Sequence, residues 1–378
     1  MRKKFKENIT YILFSILLVC VGILFFYQRK ILGVSPIYTL GIDEINYIKL
    51  SNGIRVEFKL HECRIFFPFV LMQLPFSAMN EIFMTNLISF IFLFYSLIKL
   101  AKKYFIPKKI IFLNLSFFLF TFSVSYNFSN FYLYDLPALT TIILFFISII
   151  QKSYFYSLFW FCLSLLFRET AIVFLPIFFY VFKKKKIILA TLIILILYFV
   201  PKIIIGGKIC VYGILSKPIE KFSSLFDLIF YIKVYLSFGS LWLLGLAGLF
   251  FFKNRNEYIY KVTLLFFLAS ILGSLFSSIF SGSDVTRMCF LMLPSLFIGT
   301  FFILKNINNL PNINYFLMLL LFFGFFLIVG LLPNIIINGN FNSLDDYILS
   351  NYAIVIISAI LQLILSAYLI FKFFCKSN

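Results

Sequence analysis

The chain has 378 residues, 62% hydrophobic and 21% aromatic, with a mean hydropathy of +1.04 and a formal net charge of +19. Only 12% of its residues are charged, about half the share found in soluble domains, which excludes an ordinary globular fold. The positive charge lies mainly in short lysine clusters between apolar runs, so it argues for cytoplasmic loops and against a nucleic-acid partner.

Apolar runs of about twenty residues, the length needed to cross a hydrocarbon core as a helix, recur along nearly the whole sequence. They predict an all-α polytopic membrane protein with about ten full transmembrane helices. These fall at about 9–27, 80–100, 109–127, 134–151, 187–205, 234–252, 262–280, 288–304, 314–333 and 352–373. The first run has no small-residue cleavage site and reads as a retained helix. The loop at 28–79 has a polar half and then an apolar stretch, Ile65 to Phe76, with Pro68 and Pro75. That stretch predicts an interfacial helix.

Segment 154–182 is too long for one upright span and short for two. Parity decides it. A single crossing would put Lys183-Lys184-Lys185-Lys186 outside and invert every later basic loop. A hairpin of two short helices keeps all lysine clusters inside, together with the N- and C-termini. Its tip is then Arg168-Glu169, pointing toward the outer side. Irregular backbone at that depth is tolerated only where it lines a cavity or is buried in protein. The whole of 1–378 reads as a single membrane domain with no separate soluble domain, in the cell inner (plasma) membrane.

With this topology most acids collect on the outer side, although acids contribute little to orientation. Asp43 and Glu44 lie in the first outer loop, where they suit a general base or the ligands of a divalent metal. Arg64 opens the interfacial stretch, either as an anchor or as a cation for a phosphate. Asp135 precedes Pro137 by two residues, good chemistry for the start of a helix. Arg168 and Glu169 sit in an otherwise apolar run, where charge is costly and usually functional. Asp284 and Arg287 are spaced to share a helical face. Cys20, Cys162 and Cys289 fall in predicted helices, and Cys63 and Cys210 in outer loops where an oxidising compartment would allow them to pair.

These patches, taken in order, resemble the polytopic glycosyltransferases of the GT-C superfamily, specifically its bacterial mannosyltransferase-like members. The resemblance rests on an acid followed by an aromatic (Asp43 to Tyr47), an Arg-Ile-x-x-Pro stretch (Arg64 to Pro68) and Asp135 with Ala138. Arg168-Glu169 follows, then Asp284, Arg287 and Pro294. It departs at Glu62-Cys63, where relatives often carry a second arginine and an aromatic, and no C-terminal soluble domain follows. The resemblance implies transfer of a sugar from a polyprenyl-phosphate donor to a hydroxyl of a glycan or lipid acceptor at the extracytoplasmic face. Asp43, Glu44 and Glu169 would be catalytic, and Arg64, Asp135, Arg168, Asp284 and Arg287 would bind substrate. No cofactor is implied with certainty; a divalent metal (Mg or Mn) stays open. Two other readings stand beside it. One is a transporter or lipid flippase, for which Lys202 and Lys233 would help line a path. The other is a polysaccharide polymerase or ligase, whose chemistry would have to use the short loop 334–351 with Asp345-Asp346.

Overall fold

The computed structural model of the chain describes residue 49 and residues 78–119, 121, 135–182, 189–194, 196, 228–250, 257–281, 289–307 and 352–377. Among the described residues the protein is all-helical, without strands. The longer elements are α1 (Ala78–Lys103), α2 (Lys108–Leu119), α3 (Asp135–Ile150), α4 (Tyr154–Phe167), α5 (Leu175–Val181), α6 (Leu228–Phe238), α7 (Leu241–Phe250), α8 (Glu257–Ser281), α9 (Leu293–Ile307) and α10 (Tyr352–Ser377). Two 3₁₀ turns, Glu169–Phe174 and Cys289–Met292, lead into α5 and α9. The predicted spans 9–27 and 314–333, the interfacial stretch 65–76 and nearly all of loop 28–79 lie outside the described residues.

Among the described residues two helices are long and apolar enough to cross a membrane, Met84–Lys103 and Glu257–Leu275. A third span results if Phe230–Phe238 and Leu241–Leu249 are taken as one broken helix. The outward faces match that reading. On α8, Leu264, Leu268, Leu272 and Leu275 are exposed, and on α10 Ile357, Ile360, Leu361 and Ile364 are exposed. A helix on a water-facing bundle would turn polar residues outward at such spacing.

The segment expected as one straight helix at 234–252 is instead broken, its two halves bent by 76°. Gly239 sits at the break with φ of 53°, a left-handed conformation that costs a residue without Cβ little. The indole Nε1 of Trp242 donates to the carbonyl of Val234 at 2.7 Å, bracing the corner.

Short connectors determine which helices pair. Lys152, with φ of 55°, ends α3, and the Ser153 amide donates to the Ser148 carbonyl at 3.0 Å, so α4 turns straight back along α3. The start of α4 and the end of α5 then come together: the Tyr154 ring lies 5.6 Å from Phe178 and 5.1 Å from Phe182. Segment 154–182 thus folds back on itself as a hairpin.

The two ends of the bundle differ in kind. At one, Tyr104 shares a 2.6 Å hydrogen bond with Thr263, the Tyr258 hydroxyl donates to the Ile149 carbonyl at 2.7 Å, and Lys152 lies over the Tyr258 ring. The exposed lysines Lys102, Lys108, Lys152 and Lys261 gather there. The other end is reached along α3, about 22 Å away at 1.5 Å per residue. It holds Asp135 and the turn between α4 and α5.

Candidate functional site

α4 ends because Arg168 leaves helical geometry, with φ −154° and ψ 123°. Its amide still donates to the Ser164 carbonyl at 2.8 Å, and its own carbonyl accepts from Ala171 at 3.1 Å. The chain then winds through the tighter 3₁₀ turn before Pro176 starts α5, a position where the missing amide hydrogen costs nothing.

The turn is held from behind by aromatic and glycine packing. Phe174 stacks on Phe266 at 4.8 Å, and Phe266 stacks on Phe146 at 4.0 Å, linking the turn to α8 and α3. Gly273 of α8 lets the turn approach closely: a Cβ there would stand 2.8 Å from Val173 Cγ2 and 3.5 Å from Leu291 Cδ1. The two 3₁₀ turns therefore flank the same glycine.

In front of the turn, Arg168 Nη1 forms a salt bridge with Asp135 Oδ1. Both residues are only 6% exposed. Asp135 is in the first turn of α3, where the helix dipole favours a negative charge. The two residues come from elements that pack along their lengths, α3 and α4. Beside them, Thr170 Oγ1 is buried with no hydrogen-bond partner among the described residues.

The carboxylate seen to face Arg168 is that of Asp135, 33 positions earlier. Glu169 opens the 3₁₀ turn, and its side chain lies outside the described residues. So do Asp43, Glu44, Arg64, Asp284 and Arg287; among the described residues, Asp135 and Arg168 of the predicted set are brought together.

One buried charge escaped the predicted site. Lys233, on α6, is 6% exposed. An isolated lysine in an apolar run was the available signal. Among the described residues no three His, Cys, Asp or Glu side chains cluster as metal ligands. The one carboxylate whose side chain is described at this end, Asp135, is engaged with Arg168, and the expected metal ligands Asp43 and Glu44 are outside the described residues.

Chemically, a guanidinium carries five N–H donors in a rigid fork, more than one carboxylate engages. Compared with protein-family models, curated proteins and solved structures, the chain matches none.

Proposed function

We propose that this protein is a membrane glycosyltransferase that moves a sugar from a polyprenyl-phosphate donor to an acceptor hydroxyl, at the end of the bundle opposite its lysines. The observation that carries this reading is the buried Arg168–Asp135 pair at a broken hairpin tip. A buried ion pair is a poor stabiliser, because desolvation consumes most of the Coulombic gain. A charge kept at such depth usually serves a substrate. A lipid-borne phosphate enters from the bilayer, which gives a reason for a cation at membrane depth.

In the reaction the acceptor oxygen bonds to the anomeric carbon while the bond from that carbon to the phosphate oxygen breaks. The electron pair leaves on polyprenyl phosphate, and the hydroxyl proton passes to a base. Arg168 would stabilise charge building on the leaving phosphate. Asp135 would hold the guanidinium in place and keep the empty site near neutral, and the Thr170 hydroxyl is poised to donate a further hydrogen bond. Asp43 is the proposed base, with Glu44 and Glu169 beside it, and Arg64, Asp284 and Arg287 complete the proposed binding set. The lysine-rich end would be cytoplasmic and the Arg168 end extracytoplasmic, in a fold of about ten spans like that of the GT-C superfamily.

A second reading, transport or flipping of a lipid-linked sugar, is favoured by the 76° break between α6 and α7, since discontinuous helices mark many transporter sites. One assay separates the two. The full chain in proteoliposomes is given a panel of polyprenyl-phosphate sugars and an acceptor mixture, and polyprenyl phosphate is followed by mass spectrometry. Release of the sugar-free lipid, lost in Arg168→Gln, is the expected result. Movement of the intact donor across the bilayer without release would replace transfer by transport.

A further inference from the structure

Buried serine hydroxyls in this bundle commonly bond back to their own helix: Ser157 Oγ donates to the Ser153 carbonyl at 2.7 Å, and Ser164 Oγ to the Phe161 carbonyl at 2.7 Å. On α8 one serine follows this habit and the next does not. Ser270 Oγ donates to the Phe266 carbonyl at 2.8 Å and accepts from Ser295 Oγ of α9 at 3.2 Å. One turn on, Ser274 lies on the same side of α8. It is 4% exposed, and its hydroxyl has no hydrogen-bond partner among the described residues. The Ser270 carbonyl stands four positions back, so a bond to it is open by rotation of the side chain and is not made.

Thr170 Oγ1, in the hairpin turn, is a second such hydroxyl. Residues three apart eclipse in a 3₁₀ turn, so Thr170 stands over Val173. Val173 packs against Gly273 of α8, where a Cβ would stand 2.8 Å from its Cγ2. Thr170 therefore faces α8 as well, one turn nearer to Arg168. Ser274 follows Gly273 directly. α8 runs toward the hairpin tip here, because Tyr258 and Thr263 in its first turns are held at the lysine-rich end. The two hydroxyls thus lie on the tip side of one glycine contact, one from each element. Each has given up its hydration and receives nothing in exchange, a cost that packing alone does not explain.

We infer that Thr170 and Ser274 form a neutral subsite beside Arg168 that binds the hydroxyls of the donor's sugar ring. This rests on the reading of Arg168 as the ligand of the donor phosphate. The ring is joined to that phosphate, so a donor anchored at Arg168 carries hydroxyls within a few bonds of it. A hydroxyl side chain offers one donor and two acceptor lone pairs. Thr170 can therefore donate to a phosphate oxygen and accept from a ring hydroxyl, while Ser274 exchanges hydrogen bonds with the ring alone. Neutral partners suit a neutral ring, since neither side brings a charge that the other would leave uncompensated. A trapped water offers the same donors and acceptors, and the test separates the two.

The test uses the full chain in nanodiscs. Binding is measured for radiolabelled polyprenol, polyprenyl phosphate and the polyprenyl-phosphate esters of mannose, glucose and galactose, and the thermal midpoint of the empty chain is the second readout. In wild type at least one sugar lipid should bind more tightly than polyprenyl phosphate. Ser274→Ala should lower that lipid's affinity about three- to tenfold, the range of one neutral hydrogen bond, and leave polyprenyl phosphate unchanged. Its midpoint should equal or exceed that of wild type, because the hydroxyl removed has no partner in the empty chain. Thr170→Val should weaken both lipids, and Thr170→Ser, which keeps the hydroxyl, neither. Wild-type affinity for the sugar lipid in Ser274→Ala would overturn the inference in favour of a trapped water. A lowered midpoint with parallel loss of both lipids would make Ser274 a structural residue and overturn it too. If no sugar lipid outbinds polyprenyl phosphate while polyprenyl phosphate outbinds polyprenol, the subsite falls and the Arg168 reading stands. If polyprenyl phosphate does not outbind polyprenol, both fall.

Discussion

The α7–α9 seam and the tip of the α4–α5 hairpin are both buried, yet they satisfy their polar groups differently. At the seam glycines bring two backbones into contact: a Cβ at Gly248 would collide with the Gly299 backbone, and one at Gly299 with the Gly245 carbonyl. The polar side chains nearby are neutral. Asn114 Nδ2 donates to the Phe297 carbonyl at 2.9 Å, and the single Thr300 hydroxyl proton has Asn114 Oδ1 at 2.8 Å and the Leu296 carbonyl at 2.9 Å as alternative acceptors. Small residues and neutral hydrogen bonds are thus enough to hold helices together without a hydrophobic driving force between them. The hairpin tip uses a full ion pair. A bundle that can be glued by Asn and Thr has no structural need for Arg and Asp, which is why the pair reads as a site.

The largest expected effect lies at the tip. Removing one charge, as in Arg168→Ala or Asp135→Ala, takes from the buried partner the counter-charge it faces and should cost about 3–5 kcal/mol. The measurement is the thermal midpoint of the purified chain in detergent. A shift within error would mean that water reaches the pair and that it is not buried in membrane. At the seam, Gly299→Leu should cost about 1–3 kcal/mol or more by overpacking, seen as loss of the monodisperse fraction on size exclusion. A normal profile would mean the α7–α9 approach is looser than described. Asn114→Leu removes two interhelical hydrogen bonds, and with the packing change should cost about 1–2 kcal/mol. Its catalytic rate should not change; a large loss of turnover in a stable chain would break the division between glue and site. The smallest effect is Tyr235→Phe, about 0.6 kcal/mol for one hydroxyl to Gln362. A stability loss several times larger would make α6–α10 contact a principal strut.

The hairpin was legible because charge and length spoke together. Segment 154–182 is 29 residues long with charges at its middle, and the chain leaves the helix at Arg168. The partner of Arg168 was not legible. Helix starts favour Asp for capping, so Asp135 had a sufficient local explanation, and only the α3–α4 packing shows its long-range one. The break at Gly239 was missed for a related reason. A lone glycine in an apolar run fits a straight membrane helix, and the positive φ that bends it depends on packing around Trp242.

The central claim is that Arg168 and Asp135 are kept for an anion and not for stability. The most direct test is the apolar double variant Asp135→Leu/Arg168→Met, in which both charges go and similar volumes remain. Replacing a buried ion pair by well-packed apolar residues of similar volume is often without cost. The account predicts a thermal midpoint at or above that of wild type, with polyprenyl-phosphate binding reduced at least about tenfold. A chain that loses stability yet binds the lipid phosphate as wild type does would contradict it and make the pair a structural tie.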